Sequence, residues 1–371
     1  MLIVHNPLHM RHHGRHEMFR GRLVACHEVP ERLDRVLAEL QRRPPGELRT
    51  PEELGVDPRD AAFEDVLARI HPRRYLDFLA GAWDEWVALD PANAGLDALP
   101  SVWPVRGFRA DVVPAGFAAR MGLYSFDAGT PLTAGTWDAA RAGAHCAVLA
   151  ARAVLDPAGT NRSAFALTRP PGHHAGADFF GGYCFLNNAA LAAQTLRDLG
   201  CARVAVLDID YHHGNGTQGI FYTRPDVLTV SIHGDPRTEY PFYLGHADEH
   251  GADEGEGFNL NLPLQRGTGF GGWCAALRQA LDRVARFDAQ ALVVPLGVDT
   301  FEGDPISGFH LHSADYLRVG ADIATLRLPT VFVFEGGYAV AEVGINTVNV
   351  LEGFLRQRPA LRGDTAGSGR P

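Results

Sequence analysis

Residues 203–219 read RVAVLDIDYHHGNGTQG, and the reading of this stretch decides the fold. Its start, VAVL, is apolar on both faces, the pattern of a strand buried inside a parallel sheet. Its end can be read in two ways. Gly214-Asn215-Gly216-Thr217-Gln218-Gly219 fits the G-x-G-x-x-G pattern of a dinucleotide-binding turn. Asp208, Asp210, His212 and His213 instead crowd carboxylates and imidazoles as a metal site would. In a dinucleotide-binding turn the first glycine follows the strand almost directly, and the pyrophosphate sits on the next helix N-terminus. Here DIDYHH intervenes, and its two carboxylates would repel a pyrophosphate. The metal reading is the better one, and the glycines let the chain turn tightly behind the ligand cluster.

Further short apolar runs are expected as strands at Leu2–Val4, Ser163–Thr168, Val227–Ile232, Ala291–Gly297 and Thr330–Glu335, alongside Arg203–Ile209. Between them, helical periodicity predicts helices at Pro30–Arg42, Arg73–Leu89, Thr136–Leu155, Asn187–Leu199, Gly269–Arg286, Ser313–Leu326 and Ala341–Leu355. This alternation predicts an α/β fold: one three-layer domain over residues 1–355, with a mainly parallel sheet flanked by helices. Residues 356–371 are expected as a flexible tail. Arg43–Asp60, Asp90–Pro131 and His233–Pro263 read as long loops, which in compact domains are usually functional or disordered.

Ligands of open α/β sheets bind beyond the carboxyl ends of the strands. Five strand ends carry suitable side chains. RPPGHH places His173 and His174 after one; Asp208, Asp210 and His212 end another. Ser231 and His233 belong to a third, Asp299 follows a fourth, and EGGY with Tyr338 follows the fifth. Asp208, Asp210 and His212 alternate along an extended segment and so point the same way. Without a cation they would repel one another or stay unsatisfied; the alternative is a salt-bridged strand end. Asp299 could complete an open three-ligand site, or serve as a cap. Adjacent imidazoles are natural acid–base groups near neutral pH. Two decoys are set aside: the histidines of HMRHHGRHEM are expected in a surface or mouth loop, and Cys184 as a small buried hydrophobe.

Composition narrows the function. The 371 residues carry a net charge of −10, from 34 basic and 44 acidic side chains, so nucleic acid is not expected as a partner. Every basic residue is Arg, which excludes a P-loop lysine and a Schiff-base lysine. None of the five Cys forms a C-x-x-C pair, the start lacks a secretion signal, and no apolar run approaches a membrane span. A cytoplasmic protein is expected.

RPPGHH (169–174), GGYCFLNN (181–188), DIDYHHGNGTQ (208–218), SIHGDP (231–236), LGVDTFEGDP (296–305) and FEGGY (334–338) together resemble the zinc-dependent deacetylases of the histone deacetylase superfamily. EYPFYLGHADE (239–249) and EGGYAVAEVGINTVNVLEGF (335–354) are similar to its bacterial acetylpolyamine amidohydrolase branch. The resemblance implies zinc on Asp210, His212 and Asp299, although two carboxylates and one His suit iron(II) as well. It implies Asp208 behind His173 and Asn215 behind His174, in place of the Asp some members use. Asn cannot raise the imidazole pKa as a carboxylate does, which suits His174 as a base. Tyr338 would hydrogen-bond the scissile carbonyl, and the Gly182 carbonyl would receive the substrate N–H. Tyr183 and Tyr240 would flank a tunnel with Ile306 near its base; apart from the resemblance, Glu17 is expected as a mouth carboxylate. Asp208, Ser231 and the Ile232 carbonyl resemble ligands of a structural potassium ion.

The implied reaction is metal-assisted removal of acetyl groups from small cationic amines. The acids between His233 and Gly257 are expected to form an acidic mouth that steers the substrate. Loop 90–131 would pair two subunits and narrow the entrance, giving a homodimer. A protein or peptide acetyl-lysine deacetylase is the alternative, and a metal-dependent binding protein on an inactive scaffold a further one.

Overall fold

Strands with apolar side chains on both faces must be covered on both faces, and that requirement shapes the centre of the molecule. The computed structural model describes residues 1–57, 60–105, 109, 111–157 and 161–357. In chain order its strands are β1 (Leu2–His5), β2 (His16–Phe19), β3 (Arg22–Ala25), β4 (Glu47–Arg49), β5 (Ser163–Leu167), β6 (Val204–Asp208), β7 (Val227–Gly234), β8 (Asn259–Leu264), β9 (Ala291–Leu296) and β10 (Thr330–Phe334). The α-helices are α1 (Glu31–Arg42), α2 (Ala61–Ile70), α3 (Arg73–Leu89), α4 (Phe117–Leu123), α5 (Thr136–Leu155), α6 (Asn188–Asp198), α7 (Asn215–Phe221), α8 (Phe270–Phe287), α9 (Asp315–Ala324) and α10 (Val343–Gln357).

Eight strands form one sheet in the order β4-β1-β5-β10-β9-β6-β7-β8, and every pairing in it is parallel. Alternate residues divide between two cores. Ala164 and Ala166 of β5 pack with the Ala-rich helices α5 and α6, whereas Phe165 and Leu167 pack with α1, α9 and α10. The small side chains on one face meet Ala-rich helices, and the large ones on the other meet helices that present Leu, Val, Ile and Phe. Truncating Phe165 to Ala would cost about 3–5 kcal/mol, because the transfer and cavity penalties add. No described helix is long and apolar enough to cross a membrane.

The expected central strands and seven helices are present, with ends shifted by a few residues at most. The expected loops hold more structure than their composition indicated. Arg43–Asp60 contains the edge strand β4, Asp90–Pro131 contains α4, and His233–Pro263 ends in the edge strand β8. Edge strands need an apolar side chain on one face alone, so NLNLPL gives a weaker signal than VAVLD. HMRHHGRHEM, expected in a surface or mouth loop, is a loop only in part: its last three residues belong to β2, and Met18 lines the cavity described below. It leads into the β2–β3 hairpin, and His9 and His12 are buried, their carbonyls receiving the guanidinium of Arg169 at 2.5 and 2.7 Å. The 356–371 tail lies outside the described residues apart from its first two, which complete α10.

Candidate active site

Beyond β6 the Ile209 N–H still reaches the Pro295 carbonyl of β9 at 3.1 Å, and the next three N–H groups then turn to side chains. Asp208 Oδ1 accepts the Asp210 N–H at 3.1 Å, Asp210 Oδ1 accepts the His212 N–H at 2.8 Å, and Asp299 Oδ1 accepts the Tyr211 N–H at 2.8 Å. These bonds draw Asp210, His212 and Asp299 together, with one donor atom from each inside a sphere of mutual distances under 4.8 Å. His212 Nδ1 lies 3.0 Å from Asp299 and 3.4 Å from Asp210. All three residues are buried. A side chain at Gly297 would collide with Asp210, and one at Gly336 with both Asp210 and Asp299; both positions have to be glycine for the carboxylates to fit.

Among the described residues, the cationic side chains that pair with Asp210 and Asp299 are all imidazoles. Burial opposes charge on His212, but its hydrogen bonds to Asp210 and Asp299 overcome this and push it up to about 10. Burial and the neighbouring Asp210 push Asp299 up to about 7. The cluster thus holds protons that a divalent cation would replace. Two carboxylates and one imidazole, buried together with no arginine between them, are a donor set that fits a catalytic metal with an open position.

The tandem histidines sit beside this cluster in unlike surroundings. His173 Nδ1 lies 2.9 Å from Asp208 and its Nε2 3.8 Å from Asp210. Burial would lower it, yet the two carboxylates raise it to about 10. His174 Nδ1 faces the Asn215 amide oxygen at 2.7 Å. Burial, then repulsion from His173 and His212, holds His174 well below the usual imidazole range. An amide oxygen accepts only, so Nδ1 of His174 carries the proton and Nε2 keeps its lone pair. The two adjacent rings, 4.1 Å apart, are therefore an acid and a base by environment.

A cavity of about 460 Å³ exposes this chemistry. His174, His212, Gly182, Tyr183, Tyr240, Ile306 and Tyr338 all line it. Tyr183 has φ +66° directly after Gly182 at φ +54°. Left-handed backbone costs a tyrosine roughly 1–2 kcal/mol, so something must hold it. Thr130 Oγ1 accepts its N–H at 3.0 Å, Glu17 accepts its hydroxyl at 3.0 Å, and Asp127 accepts the Gly182 N–H at 2.7 Å. A side chain at Gly182 would strike the His174 ring. Burial keeps the Tyr338 phenol far above its ordinary pKa, so it remains an O–H donor.

Other residues lie elsewhere. Asp208, Asn215, His173, Asp210 and Asp299 do not line the cavity. Ser231 is paired with Asp208 in the β6–β7 register, with Ile232 next to it, away from the cavity. Glu17 is not a mouth carboxylate: it lies on β2, is 1 % exposed and accepts from His27 and Tyr183. The acidic mouth is corrected as well. Of the seven acids in His233–Gly257, only Glu239 lines the cavity, and Arg266 at 3.1 Å and Arg20 at 3.8 Å face it. Asp235 is engaged with Arg237, and Glu249 binds Gln218 and the Gly245 and His246 N–H groups.

Sequence reasoning missed two residues. Asp127 lines the cavity and also accepts the Tyr240 hydroxyl at 2.6 Å; a lone Asp in a loop carries no signal of this. Glu335, inside the quoted EGGY, accepts the N–H groups of Gly172 and His173 at 2.6 and 3.1 Å. Burial pushes it up to about 8.

Comparison with known proteins agrees with this geometry. The histone deacetylase domain model matches residues 26–354. Acetylpolyamine amidohydrolase 2 of Pseudomonas aeruginosa is 50% identical over 354 residues, covering 95% of this chain and 98% of that protein. The crystal structure of an acetylpolyamine aminohydrolase from Burkholderia pseudomallei superposes with TM-score 0.88 at 40% identity, over 97% of this chain and 100% of that one. The HDA15 HD domain superposes with TM-score 0.74 at 25% identity, over 97% and 90%. With its sheet, its paired histidines and its family match in agreement, the chain belongs to the histone deacetylase domain family.

Proposed function

We propose that this protein is a metal-dependent deacetylase that hydrolyses the amide of acetylpolyamines and related small acetylated amines. One observation carries the reading: a single cavity presents an imidazole base, a neutral phenol and the edge of a buried Asp210–His212–Asp299 cluster. The amine class rests on relatives named for acetylpolyamine hydrolysis that match nearly the whole chain.

A divalent ion on Asp210, His212 and Asp299, zinc in preference to iron(II), would supply Lewis-acid polarisation of the acetyl carbonyl and of a water. The protein's own groups do the rest. Nε2 of His174 takes a proton from the attacking water as oxygen bonds to the carbonyl carbon. Tyr338 donates its O–H to the developing oxyanion. The C–N bond then breaks, and the histidinium returns a proton to the leaving nitrogen, giving the free amine and acetic acid, which ionises to acetate. His173, charged and held by Asp208, keeps His174 neutral at the start. The Gly182 carbonyl, set by the left-handed turn, receives the substrate N–H, and Tyr183 and Tyr240 flank the alkyl chain.

Asp208, Ser231 and the Ile232 carbonyl are assigned to a potassium ion that stiffens the β6–β7 end; the register pairing of Asp208 with Ser231 supports this. A homodimer formed through loop 90–131 is supported by the exposed Leu96, Val102 and Val112 on that loop. Five free cysteines suit a reducing cytoplasm. Release of acetate from N-acetylputrescine, before and after a chelator strips the metal, tests the reading. Turnover that survives stripping would contradict it.

A further inference from the structure

The turn that carries Tyr338 has little stiffness of its own. Two glycines precede the tyrosine, and Gly337 has φ +133°, a region other residues rarely enter. Its position must be imposed from outside. The N–H of Gly336 goes to Asp210 at 2.7 Å. Past Gly337, the N–H groups of Tyr338 and Ala339 both go to one oxygen, Oδ2 of Asp304, at 2.7 and 3.2 Å. The other oxygen, Oδ1, accepts the Ile306 N–H at 3.1 Å and so closes Asp304's own turn. That turn is fastened in its own right, with the Asp304 N–H bonded to the Phe301 carbonyl at 3.1 Å. Asp304 is 8 % exposed, so water does not compete for these bonds.

We propose that Asp304 is a positioning residue for the deacetylation, acting through Tyr338: its carboxylate clamps the Gly-Gly-Tyr turn so that the phenol points at the scissile carbonyl. This rests on the reading of Tyr338 as the oxyanion donor. Misplacing a reacting group by about 1 Å can cost on the order of 10²-fold in rate, so Asp304→Ala lowers kcat by about that factor and leaves KM within about twofold. Asp304→Asn has one acceptor oxygen where two are needed. It is therefore intermediate and serves as the folded variant if the alanine change destabilises the chain.

The test is a double-mutant cycle using wild type, Tyr338→Phe, and each Asp304 variant in both backgrounds, on metal-loaded protein with metal content measured. The expected result is that the Asp304 changes lower kcat in wild type but by less than about threefold in Tyr338→Phe. A loss of equal size in both backgrounds overturns the proposal, since the residue would then act through the metal cluster or the Ile306 wall. If Tyr338→Phe alone keeps wild-type turnover, the reading of Tyr338 fails instead, and that outcome is distinguishable because it does not involve Asp304.

Discussion

The amide oxygen of Asn215 lies 2.7 Å from Nδ1 of His174, while one residue earlier Nδ1 of His173 meets the Asp208 carboxylate at 2.9 Å. Two adjacent imidazoles thus differ by one charge in what stands behind them. Replacing Asn215 with Asp removes that difference. A carboxylate at hydrogen-bond distance raises an imidazole pKa by about 1–3 units. His174 must be neutral to accept a proton, so a raised pKa leaves it protonated up to a higher pH. The acidic limb of the kcat/KM profile in Asn215→Asp therefore moves upward. An unmoved limb would show that His174 is not the base.

Tyr338→Phe removes one oxyanion donor. The expected loss is about 3 kcal/mol in the barrier, or roughly 10²-fold in kcat, with metal content and melting temperature unchanged. Steady-state kinetics on acetylputrescine measure it.

Metal affinity should depend steeply on pH. His212, held protonated up to about 10 by its two carboxylates, must lose its proton to bind a metal, and so must Asp299 below about 7. Each displaced proton tightens the apparent Kd roughly tenfold per pH unit. Between pH 6 and 8, competition with a chromogenic chelator should show Kd falling as pH rises. A flat dependence would mean the cluster is not the metal site.

Asp127 ties the Gly182 turn and Tyr240 to one carboxylate at the cavity wall. Oδ2 accepts from Gly182 and Tyr240 and Oδ1 from Gly129 and Thr130, so in Asp127→Asn an amide N–H must face one of these two pairs of donors. We expect KM for a cationic acetylated diamine to rise about tenfold or more, since an unsatisfied buried polar group costs about 1–3 kcal/mol. A neutral acetylated alkylamine should be affected less, and comparing the two substrates separates charge from geometry.

The parts of this account that were legible in the sequence are those set by local pattern. VAVLD, ALVVPL and TVFVF are buried on both faces, so their run of apolar residues names them as central strands, and the polar residues at their ends converge because a parallel sheet aligns its carboxyl ends. What was not legible depends on partners distant in the chain. Glu17 looks like any exposed acid until the β2–β3 hairpin folds it against Tyr183. Asp127 gains its role from Gly182 and Tyr240, which are 55 and 113 residues away. The loop acids at Asp235 and Glu249 read as a charged mouth, but local hydrogen bonds engage them before any substrate could. Short edge strands such as β4 and β8 bury one face only and fade into the loops around them.

The central claim is that this cavity serves a small acetylated amine. The most direct measurement compares kcat/KM for N-acetylputrescine and for an acetyl-lysine peptide on one preparation of known metal content. The account predicts that the small amine is hydrolysed at least about tenfold more efficiently, a difference of roughly 1.4 kcal/mol in transition-state binding. Preference for the peptide, or no acetate from either substrate on metal-loaded protein, would contradict it.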